Sequence, residues 1–277
     1  MTRVYPETPT FLICHPKHYE VSYVINPWMH PDDWASEREQ WKKKAETQWT
    51  ALRLTMQNIG WLLKEVQGVA GLPDMVFVAD HAFTLENKAL ISYFATHERA
   101  PEAAHLKDWY AANGFETIDS KYMFEGGGDA LYDPYYDVIF QGYGFRSSGL
   151  IAQQLRDIFK RQVLPLALKT PNFYHADTCF CPLKNGWAML TRQAFTQDAL
   201  EAIQSIYGDK LIFVDDADAT AFACNAVVYK NNIVMPKCGD KLTKQLEDLG
   251  LKTHQLQLDS FMISGGASRC LTHNLTE

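Results

Sequence analysis

The sequence has no long apolar run and no excess of basic residues. None of its apolar stretches approaches the roughly 20 residues that a transmembrane helix needs, and the run 11–14 is too short for a signal peptide. The net charge of −7 and the isoelectric point near 5.7 argue against a nucleic-acid partner. We therefore expect a soluble, cytoplasmic protein whose partners include neither a membrane nor a nucleic acid.

Cysteine occurs without the spacing of a disulfide framework or a zinc site. The six cysteines are Cys14, Cys179, Cys181, Cys224, Cys238 and Cys270. No two of them form a Cys-x-x-Cys pair, so free thiols in a reducing compartment are expected. The sequence also lacks the P-loop and dinucleotide-binding glycine patterns, and the run 215–218 lacks the glycine and distal glutamate of a calcium loop. We therefore expect neither a metal nor a cofactor.

Apolar runs that suit buried strands alternate with helical patterns along the whole chain. The strand-like runs are 11–14, 75–80, 138–142, 211–216, 226–229 and 255–263. The helical patterns cover about 33–66, 101–112, 148–162, 197–207 and 241–249, with Thr196 and Gly250 as end signals. No linker or change of composition divides them, so we predict one α/β domain over residues 1–277.

One candidate for chemistry is Cys270, which follows the predicted strand 255–263 and the glycine pair Gly265 and Gly266. Glycine lets the backbone turn tightly or approach a ligand closely. A free cysteine is more often an inert buried residue than a nucleophile, so the prediction depends on other groups.

Two further stretches supply such groups. Glu125 and Asp129 flank three consecutive glycines, which suits the binding of a cation, either a metal or a guanidinium; a plain glycine turn is the alternative. His175 and Asp177 lie two residues apart, and on a strand they would point to the same face.

Together these stretches supply one set of groups that could act in the same site: a thiol, an imidazole and carboxylates. A thiolate beside an imidazolium has a depressed pKa and is a strong nucleophile. Because the carboxylates would attract a cation, the set favours attack on an electron-poor carbon with positive charge, and a guanidinium fits.

The motifs Phe-Glu-Gly-Gly-Gly-Asp (124–129), His-Ala-Asp-Thr (175–178) and Gly-Gly-Ala-Ser-Arg-Cys-Leu-Thr (265–272) resemble those of the guanidine-modifying superfamily, the penteins. The match extends over nearly the whole chain. The segments 23–29 and 142–146 resemble the arginine dihydrolase branch in particular. The resemblance implies a five-bladed α/β-propeller of ββαβ units around a central active-site channel.

The resemblance also implies residue roles. Cys270 would be the nucleophile and His175 the general acid and base, with Glu125 and Asp177 holding and orienting the guanidinium. Asp80 resembles a guanidinium-binding aspartate of the deiminases, although the dihydrolase branch has an asparagine in that segment. The remaining residues with implied roles in substrate binding are Asn26, Asp129, and Arg99 and Arg146, the last two as partners of an α-carboxylate.

The substrate class implied is a small molecule, arginine or a methylated arginine. A dihydrolase would release ornithine, carbon dioxide and ammonia, and the segment around Asn26 favours this product. A dimethylargininase or deiminase would stop at citrulline. An amidinotransferase and a non-catalytic binding protein on the same fold are further alternatives. The sequence does not indicate an oligomeric state.

Overall fold

The computed structural model describes residues 6–276, and within them the chain forms fifteen strands and nine helices. The strands are β1 (Thr10–Cys14), β2 (Leu62–Val66), β3 (Ala82–Leu85), β4 (Lys88–Ile91), β5 (Glu116–Asp119), β6 (Ala130–Asp133), β7 (Val138–Tyr143), β8 (Gln162–Ala167), β9 (Phe180–Pro182), β10 (Ala188–Leu190), β11 (Leu211–Phe213), β12 (Val227–Tyr229), β13 (Asn232–Pro236), β14 (Lys252–Leu256) and β15 (Thr272–Asn274). The helices are α1 (Pro31–Ser36), α2 (Arg38–Asn58), α3 (Glu102–Ala112), α4 (Gly126–Asp129), α5 (Ile151–Phe159), α6 (Gln197–Tyr207), α7 (Asp216–Thr220), α8 (Asp240–Asp248) and α9 (Asp259–Met262).

The strands form five separate sheets of three strands each. In four sheets the central strand pairs antiparallel with the strand before it and parallel with the strand after it, which follows a helix. In the fifth sheet β15 takes the place of the preceding strand. Antiparallel neighbours need only a short turn, whereas a parallel neighbour needs a crossover. The predicted ββαβ unit is therefore confirmed five times.

The fifth unit joins strands that are far apart in the sequence. β15 pairs antiparallel with β1, with Thr272 opposite Ile13, and β1 pairs parallel with β2. This sheet therefore links the segment that carries Cys270 to the first strand of the chain.

Short helical turns precede the first strand of several units and carry the predicted site residues. Asp80 lies in the 3₁₀ turn Val78–His81 just before β3, and Asp129 ends α4 just before β6. Asp177 lies in the turn Ala176–Thr178 before β9, and Cys270 lies two residues before β15. Equivalent positions in different units thus supply the site.

Several predicted elements have the expected bounds. α6 covers 197–207 as predicted, and the Thr196 hydroxyl accepts a hydrogen bond from the amide of Ala199. Gly250 follows α8 with a φ of +75°, the left-handed conformation that ends helices. The apolar stripe of the long helix is buried in α2 at Ala45, Trp49, Leu52 and Met56.

Other predictions were wrong. The helix predicted over 33–66 is divided into α1 and α2 and stops before Gly60, whose φ is +87°; residues 62–66 pair with β1 instead. The run 75–80 forms 3₁₀ turns, not a strand, and 255–263 contains the end of β14 followed by α9. The segment with His175 and Asp177 is also a 3₁₀ turn. Short apolar runs do not distinguish buried turns from strands.

Gly126 is required by its close contacts. Its φ is +48°, and a Cβ there would lie 2.6 Å from the carbonyl oxygen of Ala82 and 2.8 Å from that of Ala79. These are backbone atoms that cannot rotate away, so only glycine fits between Glu125 and the turn before β3.

We predict that Gly126→Ala lowers the free energy of unfolding by more than Gly60→Ala. Both substitutions put alanine at positive φ, which costs about 1–2 kcal/mol, but nothing lies within 4 Å of a Cβ at Gly60. The clash at Gly126 should add about 1–3 kcal/mol. Denaturant unfolding of both variants measures the difference, and equal losses would contradict the packing argument.

Candidate active site

The imidazole of His175 is held by Glu125, which is itself held by Arg146. His175 Nε2 lies 2.8 Å from Glu125 Oε2, and Arg146 Nη1 donates to the same oxygen at 2.8 Å. The other oxygen of Glu125 accepts from the backbone amide of Ala95 at 3.1 Å. Burial opposes ionisation, but Arg146 and His175 hold the pKa of Glu125 well below its usual value. Glu125 is therefore a carboxylate at neutral pH.

His175 is an imidazolium at neutral pH in this environment. Burial alone would lower its pKa, but the carboxylates of Asp80, Asp129 and Glu125 outweigh burial and raise the pKa to about 9. Its Nδ1 lies 3.6 Å from Asp80 Oδ1. A Cβ at Gly128 would lie 2.8 Å from Nδ1 and 2.5 Å from that oxygen, so the third glycine of the motif permits their approach.

Cys270 is buried next to a carboxylate. Its Sγ lies 3.2 Å from Asp177 Oδ2 and 3.1 Å from Asn225 Nδ2. Burial, Asp177 and Asp80 together raise the pKa of Cys270 well above its usual value. The depressed thiol pKa expected from the sequence is therefore wrong for the unliganded site, since the nearest charged group is an anion.

Asp177 shares this unfavourable environment. Burial and the charge of Asp80 raise the pKa of Asp177 to about 7, although His175 and Arg269 act in the opposite direction. The second oxygens of both carboxyls, Asp177 Oδ1 and Asp80 Oδ1, have no hydrogen-bond partner within residues 6–276. Buried acceptors of this kind usually meet a donor.

Asp129 lies behind His175. Its Oδ1 accepts from the amide of Ala176 at 3.0 Å, and burial raises the pKa of this carboxyl to about 6. A Cβ at Gly142 would lie 2.6 Å from that oxygen. The structure thus brings Asp129 to the imidazole and its backbone, and not to Cys270.

The two arginines proposed to bind an α-carboxylate have buried partners. Arg99 forms ion pairs with Asp80 and Glu102, and its Nη2 also donates to the backbone carbonyls of Asp74 and Phe77. Arg99 therefore lies behind Asp80 and fixes its orientation.

Arg146 has a different setting. Besides Glu125, it donates to the carbonyl oxygen of Ile25 at 2.7 Å, and its guanidinium lies 4.7 Å from the ring centroid of Tyr174. One of its donors is therefore bound to the segment that contains Asn26.

The segment 23–28 is fixed over these residues by its own hydrogen bonds. Asn26 Nδ2 donates to the carbonyl of Ser264 at 2.9 Å, and its Oδ1 accepts from the amide of Trp28. Tyr23 donates to Asp74, a buried carboxyl whose pKa is raised to about 7 by burial. Asn26 thus shapes the turn at Pro27 and also ties the segment to the loop before Cys270.

Sequence reasoning missed four residues of the cluster: Asp74, Glu102, Tyr174 and Asn225. None of them lies in a glycine motif. Asn225 directly precedes the predicted strand 226–229, and this position at the start of a strand was the available signal. The other three could be found only from the contacts.

Five ββαβ units that bring together a thiol, an imidazole and carboxylates are the arrangement of the pentein fold. The family described as N,N-dimethylarginine dimethylhydrolase, eukaryotic, matches residues 22–277. The chain belongs to this family, and the predicted five-bladed α/β-propeller is confirmed.

The relatives include two kinds of enzyme. The chain is 36% identical over 96% of its length to the bifunctional arginine dihydrolase/ornithine cyclodeaminase AgrE of Nostoc, but covers 38% of that protein. The corresponding protein ArgZ of Synechocystis is also 36% identical, with 37% covered. The chain thus spans about two fifths of these relatives. It is 30% identical to the N(G),N(G)-dimethylarginine dimethylaminohydrolase of Mycobacterium tuberculosis, over 96% of the chain and 86% of that protein.

Solved structures agree with these relations. The N-terminal domain of ArgZ, as a cysteine-to-serine variant bound to its substrate, superposes with a TM-score of 0.92 at 34% identity, covering 97% of this chain and 98% of that chain. A dimethylarginine dimethylaminohydrolase adduct shares the fold with a TM-score of 0.79 at 15% identity, over 96% and 99% of the two chains.

The cysteines and the helices were also the subject of predictions. All six cysteines lie in the described region and are free, as predicted. Within residues 6–276 no helix is both long and apolar enough to cross a membrane.

We predict that His175 makes the protein less stable as the pH rises from about 7 to about 8.5. An unfolded histidine titrates near 6.5 and His175 near 9, so the folded state binds one more proton in this interval and stability falls with pH, by at most about 1.4 kcal/mol per pH unit. The free energy of unfolding of His175→Gln should fall less steeply. Parallel slopes would show that His175 is neutral in the folded protein.

Proposed function

We propose that this protein hydrolyses the guanidinium C–N bonds of arginine, or of an N-substituted arginine, through a covalent intermediate on Cys270. Ornithine, carbon dioxide and ammonia are the favoured products. The observation that carries the proposal is that Asp80 Oδ1 and Asp177 Oδ1 are buried and accept no hydrogen bond within the described residues, while the other oxygen of Asp177 contacts the thiol. A planar guanidinium offers N–H donors and a positive charge to both.

The first step follows from the change in charge that substrate binding brings. A guanidinium bound between Asp80 and Asp177 offsets their negative charge and thereby lowers the pKa of Cys270. The nearest acceptor for the thiol proton is Asp177 Oδ2 at 3.2 Å. The sulfur then attacks the guanidinium carbon, a C–S bond forms, and the C–N bond breaks as the imidazolium of His175 protonates the leaving amine.

The second step regenerates the enzyme. His175, now neutral, takes a proton from water, and the oxygen adds to the thiouronium carbon. The C–S bond then breaks as Asp177 returns its proton to the sulfur, and the added oxygen loses its second proton to the released ammonia, which gives citrulline. Repetition on the ureido carbon with a second water would release ornithine, carbon dioxide and ammonia. The buried pair of Glu125 and Arg146 keeps His175 oriented through both proton transfers.

The other predicted residues enter the proposal as follows. Arg99 positions Asp80, and the charge of Asp129 raises the pKa of His175 and so favours the imidazolium. Asn26 holds the segment 23–28 over the site. Arg146 binds the substrate α-carboxylate with the donor that otherwise meets Ile25.

Citrulline as the final product is the second candidate. It is favoured by the family to which the chain belongs and by the dimethylarginine dimethylaminohydrolase relative. The carboxylate of Asp80 also favours citrulline, since the dihydrolase branch has an asparagine in this segment. Binding of the ureido group would then lack a neutral hydrogen-bond donor at this position.

We further propose that residues 1–277 act as one domain in the cytoplasm. The continuous series of five units and the six free cysteines support this.

Product analysis tests the proposed function. With arginine we expect ornithine and ammonia from the unmodified protein and no product from Cys270→Ser, with the folded structure retained. Mass spectrometry of the quenched reaction should find an adduct on the Cys270 peptide only, and Cys179→Ser is the matched control with full activity. Accumulation of citrulline, or preference for dimethylarginine with release of dimethylamine, would select the second candidate. Turnover by Cys270→Ser would exclude both.

We predict that arginine is used at least about tenfold better than agmatine, which lacks the α-carboxylate, because a charged hydrogen bond contributes about 1.5–3 kcal/mol. Arg146→Lys keeps the positive charge next to Glu125 but loses the planar fork. The ratio of kcat/KM for arginine to that for agmatine should therefore fall in this variant. Arg192→Lys, on an exposed residue, should leave the ratio unchanged. An unchanged ratio in Arg146→Lys would remove Arg146 from carboxylate binding.

A further inference from the structure

Asn225 connects the segments of the site that carry Cys270 and Asp177. Its side-chain oxygen accepts hydrogen bonds from the backbone amides of Ala267, Arg269 and Cys270, at 3.0, 3.1 and 3.3 Å. Its amide nitrogen donates to the carbonyl of Asp177 at 3.2 Å and to Cys270 Sγ at 3.1 Å. Three backbone donors fix which end of the amide is oxygen, so the nitrogen must face the sulfur.

The fold presents Asn225 in the same way as the predicted site residues. It lies two residues before β12, the first strand of its unit, as Asp80 does before β3 and Cys270 before β15. Asn225 is thus the contribution of the fourth unit to the site. It is completely buried, and both its donors and its acceptor are used.

The turn that delivers Asn225 is strained. Phe222 has a φ of +57°, an uncommon conformation for a bulky residue, and its carbonyl accepts from the Asn225 amide at 2.9 Å. The ring of Phe222 is buried and packs against Trp28 of the segment over the site, with centroids 4.9 Å apart. Such strain persists where the surroundings fix the conformation, often at functional sites.

We propose that Asn225 is a positioning residue that sets the sulfur of Cys270 and stabilises its thiolate. The role of Asn225 in catalysis rests on the proposed function. Its effect on the thiol does not, because that effect is a property of the protein without substrate. A thiolate accepts a hydrogen bond from an amide N–H and is stabilised by it, as any anion is by a donor. Within the described residues, Asn225 is the one neutral side chain that donates a hydrogen bond to this sulfur.

The charges around Cys270 explain why a neutral donor matters. Asp177 and Asp80 oppose ionisation of the thiol, and Tyr174 interacts with it unfavourably when both are charged. The positive charges of His175 and Arg269 counteract the rise in the pKa of Asp177. An amide offers a donor to the sulfur without adding a cation that would repel a guanidinium from the same space.

The test is the variant Asn225→Asp, which keeps an oxygen for the three backbone amides but replaces the donor with a second carboxyl. Alkylation of Cys270 by iodoacetamide, followed by mass spectrometry of its peptide without substrate, measures thiolate formation as a function of pH. The alkylation midpoint should rise by about one pH unit or more, a tenfold loss of thiolate at a given pH. On arginine, kcat should fall by a similar factor with KM little changed.

Matched variants separate this role from a purely structural one. Asn231→Asp adds the same charge in the exposed turn between β12 and β13 and should leave the midpoint unchanged. Asn225→Ala should raise the midpoint and also lower the free energy of unfolding; if it does not fold, Asn225→Asp decides alone. An unchanged midpoint in Asn225→Asp would overturn the proposal. A shifted midpoint in a protein without turnover on arginine would refute the proposed function and leave the role of Asn225 intact.

Discussion

The structure depends on negative charge buried next to a thiol. Asp80 and Asp177 are buried, where a charge is costly unless it is paired, and Cys270 lies against Asp177. Two buried ion pairs belong to the same cluster: Arg99 with Asp80, and Arg146 with Glu125. Arg99 orients Asp80, but within residues 6–276 neither Asp80 Oδ1 nor Asp177 Oδ1 accepts a hydrogen bond. The interior therefore contains buried acceptors of the kind that a cation with N–H donors would suit.

The same constraint determines the protonation states. The imidazole is protonated, as expected for a histidine beside a thiolate, but the thiol itself is neutral in the free protein. A resting thiol is a poor nucleophile and a poor target for oxidation. Ionisation coupled to the arrival of a cation would confine reactivity to occupied molecules. The neutral amide of Asn225 fits this arrangement because it favours the thiolate without supplying charge.

How much the sequence could predict depended on the kind of residue. Cys270, His175 and Glu125 were found because glycine motifs and chemistry single them out, and the fold followed from a family resemblance. Arg99 was assigned to the substrate, yet it pairs with Asp80 and Glu102, since sequence does not show which of several carboxylates a buried arginine meets. The strand predicted at 75–80 failed because apolar residues fill buried turns as well. Asn225 was missed because a single asparagine carries no pattern, although its place before a strand repeats that of Cys270.

The pairing of β15 with β1 has a consequence for how the protein is made. Cys270 lies just before β15, so the thiol leaves the ribosome after the sheets that carry Asp80, Glu125 and His175. Contacts between strands so distant in sequence form slowly compared with local hairpins. A nascent chain can therefore complete four of its five sheets while the reactive group is still outside the fold. The site is therefore complete only once β15 has paired with β1, and a chain that has not reached this segment lacks the thiol.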